Sequence, residues 1–91
     1  MTTTPMERIG GHLDTAAAAV LAELDAITDP VERQSAAREV LEALLPSVTQ
    51  RVKAHRARTV AGLREGRTLA EVGRLLGGLS VARVDQILKG K

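Results

Sequence analysis

The side chains of this 91-residue chain that could perform acid–base, nucleophilic or metal chemistry are few and scattered. His12 and His55 lie 43 positions apart and the chain has no cysteine, so no set of residues has the spacing of a zinc site. Carboxylates at helical spacing, such as Glu39 and Glu42, are typical of a solvated helix surface. We therefore expect no enzyme activity, no metal ion and no cofactor.

The charged residues are divided unevenly between the two halves of the chain. Residues 1–45 hold three basic and eight acidic side chains, a net charge of −5, whereas residues 46–91 hold ten basic and three acidic ones, a net charge of +7. A basic half of this kind favours a polyanionic partner. Because the chain has no Phe, Tyr or Trp, it has no rings on which to stack single-stranded bases. The expected polyanion is double-stranded DNA.

The elements that position these charges are predicted to be helices. No segment alternates apolar and polar residues over the length of a strand, so the predicted fold is all-α with about five helices. In the N-terminal acidic helical segment, 1–45, the first helix is expected to run to about Thr28 from near Pro5 or Met6, or from near His12 because Gly10 and Gly11 weaken its first turns. The second helix begins at the start signal Asp29-Pro30, and Pro46 is expected to end it or kink it. A basic region, 46–91, has helices over about 48–65, 69–76 and 81–88. The second helix is predicted to turn toward a core its residues Val31, Ala37, Val40, Leu41, Leu44 and Leu45. Ser47 is the predicted cap of the third helix, whose apolar line is Val48, Val52, Val60 and Leu63.

The first helix has apolar residues at spacings of four, three, four and three, which form a heptad seam. Its members are Leu13, Ala17, Val20, Leu24 and Ile27. This seam predicts either the contact of a homodimer or packing against the second helix of the same chain. The small, purely aliphatic core favours a partner subunit, because a chain of this length buries little surface on its own.

Near the end of the chain, two short helices separated by a glycine-marked turn are typical of a helix-turn-helix unit. The two helices must cross closely, which requires a small residue where they meet, and Gly73 occupies that position. The turn is Gly77-Gly78. The segment Thr68–Glu71 is a capping box for the first of these helices, and Ser80 is the N-cap of the second. The apolar residues that would pin both helices to a third are Leu69, Val72, Leu76, Leu79, Val84 and Ile87.

The stretch Leu63-Arg-Glu-Gly-Arg-Thr-Leu-Ala-Glu-Val-Gly-Arg-Leu-Leu-Gly77, followed by Leu79-Ser-Val-Ala-Arg-Val-Asp-Gln-Ile87, resembles the DNA-binding helix-turn-helix of bacterial regulators. It is similar in particular to the sigma-factor region 4 type of small actinobacterial regulators. The usual turn, Leu-Gly-Val-Ser, is one residue longer here, and the extra glycine can rotate the second helix relative to the first. The position after the serine, often Arg or Lys in relatives, is Val81.

The resemblance implies that the second helix of the motif enters the major groove. Gln86 is the best base reader, since its amide can bond N6 and N7 of adenine. Arg83 is expected on the opposite side of the helix from Gln86, toward phosphate. The residues expected to face bases are Ser80, Val81, Ala82, Asp85, Gln86 and Lys89. Those expected to contact phosphate are Arg67, Thr68, Arg74 and Arg83, with Arg56, Arg58 and Arg64 of the third helix as further candidates.

Two functions are compatible with this sequence. The first is a duplex-DNA-binding transcription regulator that acts as a homodimer, and the alternative is an adaptor that docks on RNA polymerase, a sigma factor or an anti-sigma factor. The longest apolar run, Ala16 to Ala22, is seven residues, far below the ~18 needed to cross a bilayer. We expect no membrane partner and a cytoplasmic, nucleoid-associated protein.

Overall fold

A computed structural model describes residues 2–91, and within that range the chain is helical, with no strand. The helices are α1 (Pro5–Ala26), α2 (Pro30–Glu39), α3 (Leu45–Arg64), α4 (Leu69–Leu75) and α5 (Val81–Leu88), and a π-helical segment, Val40–Leu44, lies between α2 and α3. The all-α fold class predicted from the sequence is therefore confirmed.

The expected number of about five separate helices is wrong, because Pro46 does not end the second helix. The helical residues run without a break from Pro30 to Arg64, so the described chain has four continuous helices. Proline lacks an N–H and crowds the carbonyl of the preceding turn. The π-helical segment directly before Pro46 widens that turn and lets the helix continue past the proline. Ser47, one residue later, lies inside α3 and caps nothing.

The starts of α1 and α2 follow local capping rules. Thr4 Oγ1 accepts from the backbone N–H of Glu7 at 3.1 Å, and Pro5 stands at the first helical position. Asp29 Oδ2 accepts from the N–H of Glu32 at 3.1 Å in the same way. The start signal read from the sequence at Asp29-Pro30 is confirmed. Helix α1 begins at Pro5, the earliest of the expected starts, and ends at Ala26, two residues before the expected Thr28.

The chain divides into two compact units, one ending at Glu42 and the other spanning Ala43–Lys91. The sequence-based division was placed three residues later, and no charged residue lies between the two positions. The acidic unit therefore has a net charge of −5 and the basic unit +7. In the acidic unit, no described residue of α1 or α2 is buried. Its two helices thus gain little hydrophobic stabilisation from each other.

The basic unit has a core formed where α3, α4 and α5 meet. The buried residues are Val60, Val72, Val84 and Ile87, and the half-buried leucines around them are Leu63, Leu69, Leu76, Leu79 and Leu88. All six apolar residues predicted to pin the helix-turn-helix to a third helix belong to this cluster. On α3, however, only Val60 and Leu63 do, and Val48 and Val52 are exposed. Helical spacing identified the apolar face of α3 but not the part of it that α4 and α5 cover.

Candidate nucleic-acid interface

Helices α4 and α5 are two short helices that share the core of the basic unit and are joined by a turn containing Gly77 and Gly78. Gly73 is buried, and its carbonyl oxygen accepts from the N–H groups of both Gly78 and Leu79 at 2.9 Å. Gly77 and Gly78 both have a φ of +92°, in the region that favours glycine. The extra residue in the turn is therefore accommodated by two glycines with positive φ, held by hydrogen bonds to the end of α4.

The N-termini of both helices are capped by their own side chains. Thr68 Oγ1 accepts from the N–H of Glu71 at 3.1 Å, and the Glu71 carboxylate accepts from the N–H and the hydroxyl of Thr68. Ser80 Oγ accepts from the N–H of Arg83 at 3.1 Å. The hydroxyl and the backbone N–H of Thr68, a phosphate candidate, thus already donate within the protein, which leaves the neighbouring arginines as the freer donors.

The residues expected to face bases lie along the solvent side of α5. Ala82, Gln86 and Lys89 are exposed at successive turns, opposite the buried Val84 and Ile87. Ser80 and Val81 are exposed at the start of the helix. One side of α5 therefore packs in the core, and the other side exposes most of the candidate base-reading residues to solvent.

Asp85 and Lys89, two further base-facing candidates, form an ion pair with each other. The Lys89 ammonium lies 2.8 Å from a carboxylate oxygen of Asp85, at helical spacing i,i+4. Asp85 is half-buried. The pairing neutralises the one carboxylate on this side of α5, which would otherwise repel phosphate.

The predicted position of Arg83 is wrong. Arg83 was expected on the opposite side of α5 from Gln86, but its guanidinium Nη1 lies 3.5 Å from Oε1 of Gln86, at the long limit of a hydrogen bond. Residues three apart in a helix are neighbours on one side, which accounts for the contact. Arg83 therefore lies beside the amide of Gln86 rather than on the opposite side of the helix.

Two phosphate candidates of the motif share one depression on the surface of α4. Arg67, Glu71, Arg74 and Leu75 line this shallow hollow of about 300 Å³. The Arg67 Nη1 donates to the carbonyl of Leu63 at 3.0 Å and so helps to cap the end of α3. Arg74, on the same depression, is exposed.

Arg56, a further phosphate candidate, has a structural role that spacing alone did not reveal. It is half-buried, and its Nη2 donates to the backbone carbonyl of Lys91 at 2.7 Å. This bond ties α3 to the residue three positions after α5. Its Nε is buried without a partner among the described residues. Arg58 and Arg64, the other candidates on α3, are exposed.

The residues proposed for a dimer contact differ in exposure along α1. Leu13, Ala17 and Val20 are exposed, whereas Leu24 and Ile27, near the turn to α2, are half-buried. Packing within the acidic unit thus covers only the end of the seam. Within residues 2–91, no group of three or more His, Cys, Asp or Glu side chains could hold a metal ion. No helix in that range is long and apolar enough to cross a membrane.

Comparison of the chain with protein-family models, with curated proteins and with solved structures finds no match.

Proposed function

We propose that this chain is a transcription regulator that binds duplex DNA by inserting α5 into the major groove. The observation that supports this most directly is the two-sided character of α5. Val84 and Ile87 anchor one side in the core, while Gln86 and its exposed neighbours stand free on the other side. The helix belongs to a unit with a net charge of +7, which favours the approach of a polyanion.

The dimensions of duplex DNA fit this arrangement. The major groove admits one α-helix, and its base edges present hydrogen-bonding groups that an amide such as that of Gln86 can read. Arg67 directly precedes the N-cap of α4 and Arg74 lies on α4. Both would therefore contact the sugar–phosphate backbone beside the groove, as the first helix of such a motif does. The absence of aromatic rings disfavours a single-stranded target.

A homodimer is part of this proposal. One helix-turn-helix contacts only a few base pairs, and two copies about 34 Å apart multiply the specificity. The exposed seam residues Leu13, Ala17 and Val20 supply an apolar surface for the second copy.

Binding to fluorescently labelled duplex fragments, measured by anisotropy over a series of salt concentrations, tests the function. We expect affinity to fall steeply with salt, because each phosphate contact releases counterions. The double variant R67E/R74E should lose most of this binding. R8E/R38E is a matched control, since it changes the net charge equally but lies in the acidic unit. Absence of binding by the unmodified chain at ~50 mM salt would refute the proposal.

The alternative is an adaptor that docks on RNA polymerase, a sigma factor or an anti-sigma factor through the acidic unit. The absence of any buried residue in α1 and α2 favours it, because these helices are left with apolar side chains uncovered. R67E/R74E separates the two functions. An adaptor of this kind should keep its partner when those two arginines are reversed, whereas a DNA-binding regulator should lose its operator.

A further inference from the structure

The last turn of α5 contains no basic side chain of its own, and Arg56 of α3 places one at its end. The C-terminus of a helix has a partial negative charge and carbonyl groups without intrahelical partners, so a nearby cation stabilises it. The Arg56 Nη2 donates to the backbone carbonyl of Lys91 at 2.7 Å, and its Nε is shielded from solvent. The guanidinium is therefore held at the end of α5 rather than extended into solvent.

The residues that follow α5 fold back on its last turn and so fix the place of this carbonyl. The N–H of Lys91 donates to the carbonyl of Gln86, and the N–H of Gly90 donates to the carbonyl of Ile87, both at 3.0 Å. Gly90 has a φ of +77°. These two bonds around a left-handed glycine are the Schellman motif that ends many helices. A bond to the carbonyl of Lys91 therefore holds the end of α5 against α3.

Two hydrogen bonds in sequence connect α3 to Gln86, the residue proposed to read a base. The first joins Arg56 to the carbonyl of Lys91, and the second joins the N–H of Lys91 to the carbonyl of Gln86. A base contact requires a donor–acceptor distance correct to within a few tenths of an ångström, so the backbone that carries the reading side chain must be rigid. Arg56 contributes to that rigidity at the last turn of α5.

We propose that Arg56 is a positioning residue, which holds the last turn of α5 and so sets the preference of the chain for one DNA sequence. It does this without binding phosphate, the role expected from the sequence. An arginine commonly binds phosphate through two parallel N–H groups. In Arg56 the edge formed by Nε and Nη2 is unavailable, because Nε is buried and Nη2 donates to Lys91. This inference rests on the proposed function and adds a residue that determines its specificity.

The variant Arg56→Met tests the inference, because methionine keeps an apolar stem in the half-buried position but removes the donor and the charge. Arg58→Met is the matched control, since it removes the same charge from an exposed position two residues along α3. Anisotropy titrations compare the chains on two probes. One is the duplex that the unmodified chain selects from a pool of random sequences, and the other is a scrambled duplex of the same composition.

We expect Arg56→Met to lower the preference, defined as the ratio of the two affinities, about three- to tenfold, a fraction of what one good base contact contributes. Arg58→Met should leave the preference unchanged. An arginine that binds phosphate would, on removal, weaken binding to both duplexes equally and reduce the slope of log affinity against log salt by about 1. Arg56→Met should leave that slope unchanged. Arg56→Lys, which keeps a cation and a donor, should retain most of the preference.

Nuclear magnetic resonance without DNA measures the link between α3 and α5 directly. The backbone amides of Gly90 and Lys91 should have order parameters near 0.85 in the unmodified chain, the value of rigid backbone. Arg56→Met should lower them toward about 0.6, while Val72 in the core stays rigid. A rigid Val72 also shows that the variant remains folded.

Three results would overturn the inference while the proposed function stands. The first is a preference that Arg56→Met leaves intact. The second is equal weakening of both duplexes with a reduced salt slope, which would make Arg56 a phosphate contact. The third is order parameters at Gly90 and Lys91 that Arg56→Met does not change. An unmodified chain that binds all duplexes equally would also refute the inference, and one that binds none would refute the proposed function together with it.

Discussion

Gly73 of α4 lies directly against the backbone carbonyl of Leu79, at the point where the chain turns toward α5. A β-carbon built on Gly73 would overlap the Leu79 oxygen, lie 3.2 Å from the carbonyl carbon and lie 3.6 Å from a methyl group of Val84. Backbone cannot rotate away as a side chain can. The close crossing of the two helices therefore depends on the missing side chain at this one position.

Gly73→Ala should destabilise the basic unit by about 1–3 kcal/mol, the usual cost of overpacking a core. Gly62→Ala is the matched control, because Gly62 lies in α3 with no neighbour within 4 Å of the added β-carbon. This second change should stabilise the chain by about 0.5–1 kcal/mol, since alanine favours a helix. Urea unfolding followed by circular dichroism at one fixed chain concentration measures both. Equal effects of the two substitutions would contradict the close crossing.

The two turn glycines give a second prediction, which depends on their backbone conformation rather than on steric overlap with a neighbour. Gly77 and Gly78 have no neighbour near an added β-carbon, but both have a φ of +92°. Alanine at either position should cost about 1–2 kcal/mol, because L-residues with positive φ are strained. Gly78→Asn should cost less than Gly78→Ala, because asparagine tolerates such conformations better. If Gly78→Ala and Gly78→Asn had the same urea midpoint, the turn would not be strained in the way proposed.

The parts of the fold that were predictable from the sequence depend on contacts within a few residues. The capping box Thr68–Glu71, the cap Ser80 and the glycine turn each involve groups three to six positions apart, so spacing determines them. The pinning residues were also predictable, because a short helix with one apolar side has only one way to face a core.

The predictions that were wrong concern features that the sequence within a few residues does not determine. Pro46 was expected to end or kink the second helix, but the chain stays helical past it after a π-helical segment, and nothing in the sequence near Pro46 predicts that segment. Four residues predicted to face a core are exposed, namely Val31, Leu41, Leu44 and Leu45. On α3 the predicted apolar line is longer than the part that α4 and α5 cover, so Val48 and Val52 are exposed as well. Arg56 could not be distinguished from a surface arginine, because its partner carbonyl is 35 residues away.

The capping box gives a third prediction, which concerns the contribution of the Thr68 hydroxyl to the stability of the chain. Thr68→Ala removes the acceptor for the N–H of Glu71 and should destabilise the chain by about 1 kcal/mol. Thr68→Ser keeps a hydroxyl at the same place and should remain near the stability of the unmodified chain. The same urea titration distinguishes them. If serine were as damaging as alanine, the threonine methyl group rather than the cap would be the important feature.

The contrast between Gln86 and Arg74 tests the proposed function at the level of single contacts. Gln86 stands on the free side of α5 beside Arg83, whereas Arg74 lies on α4 in the depression that it shares with Arg67. An amide that reads a base distinguishes sequences, and a guanidinium on phosphate does not. Gln86→Ala should therefore lower affinity for the preferred site by about 1–3 kcal/mol and change unrelated duplexes little.

Arg74→Ala should instead weaken binding to all duplexes by a similar factor and reduce the slope of log affinity against log salt by about 1. Anisotropy titrations of both variants against a selected site and a scrambled duplex, at several salt concentrations, measure the two effects together. Arg64→Ala is the control, because this exposed arginine at the end of α3 lies outside the depression. If Gln86→Ala weakened both duplexes equally while Arg74→Ala changed the preference between them, the assignment of α5 to the groove and α4 to the backbone would be wrong.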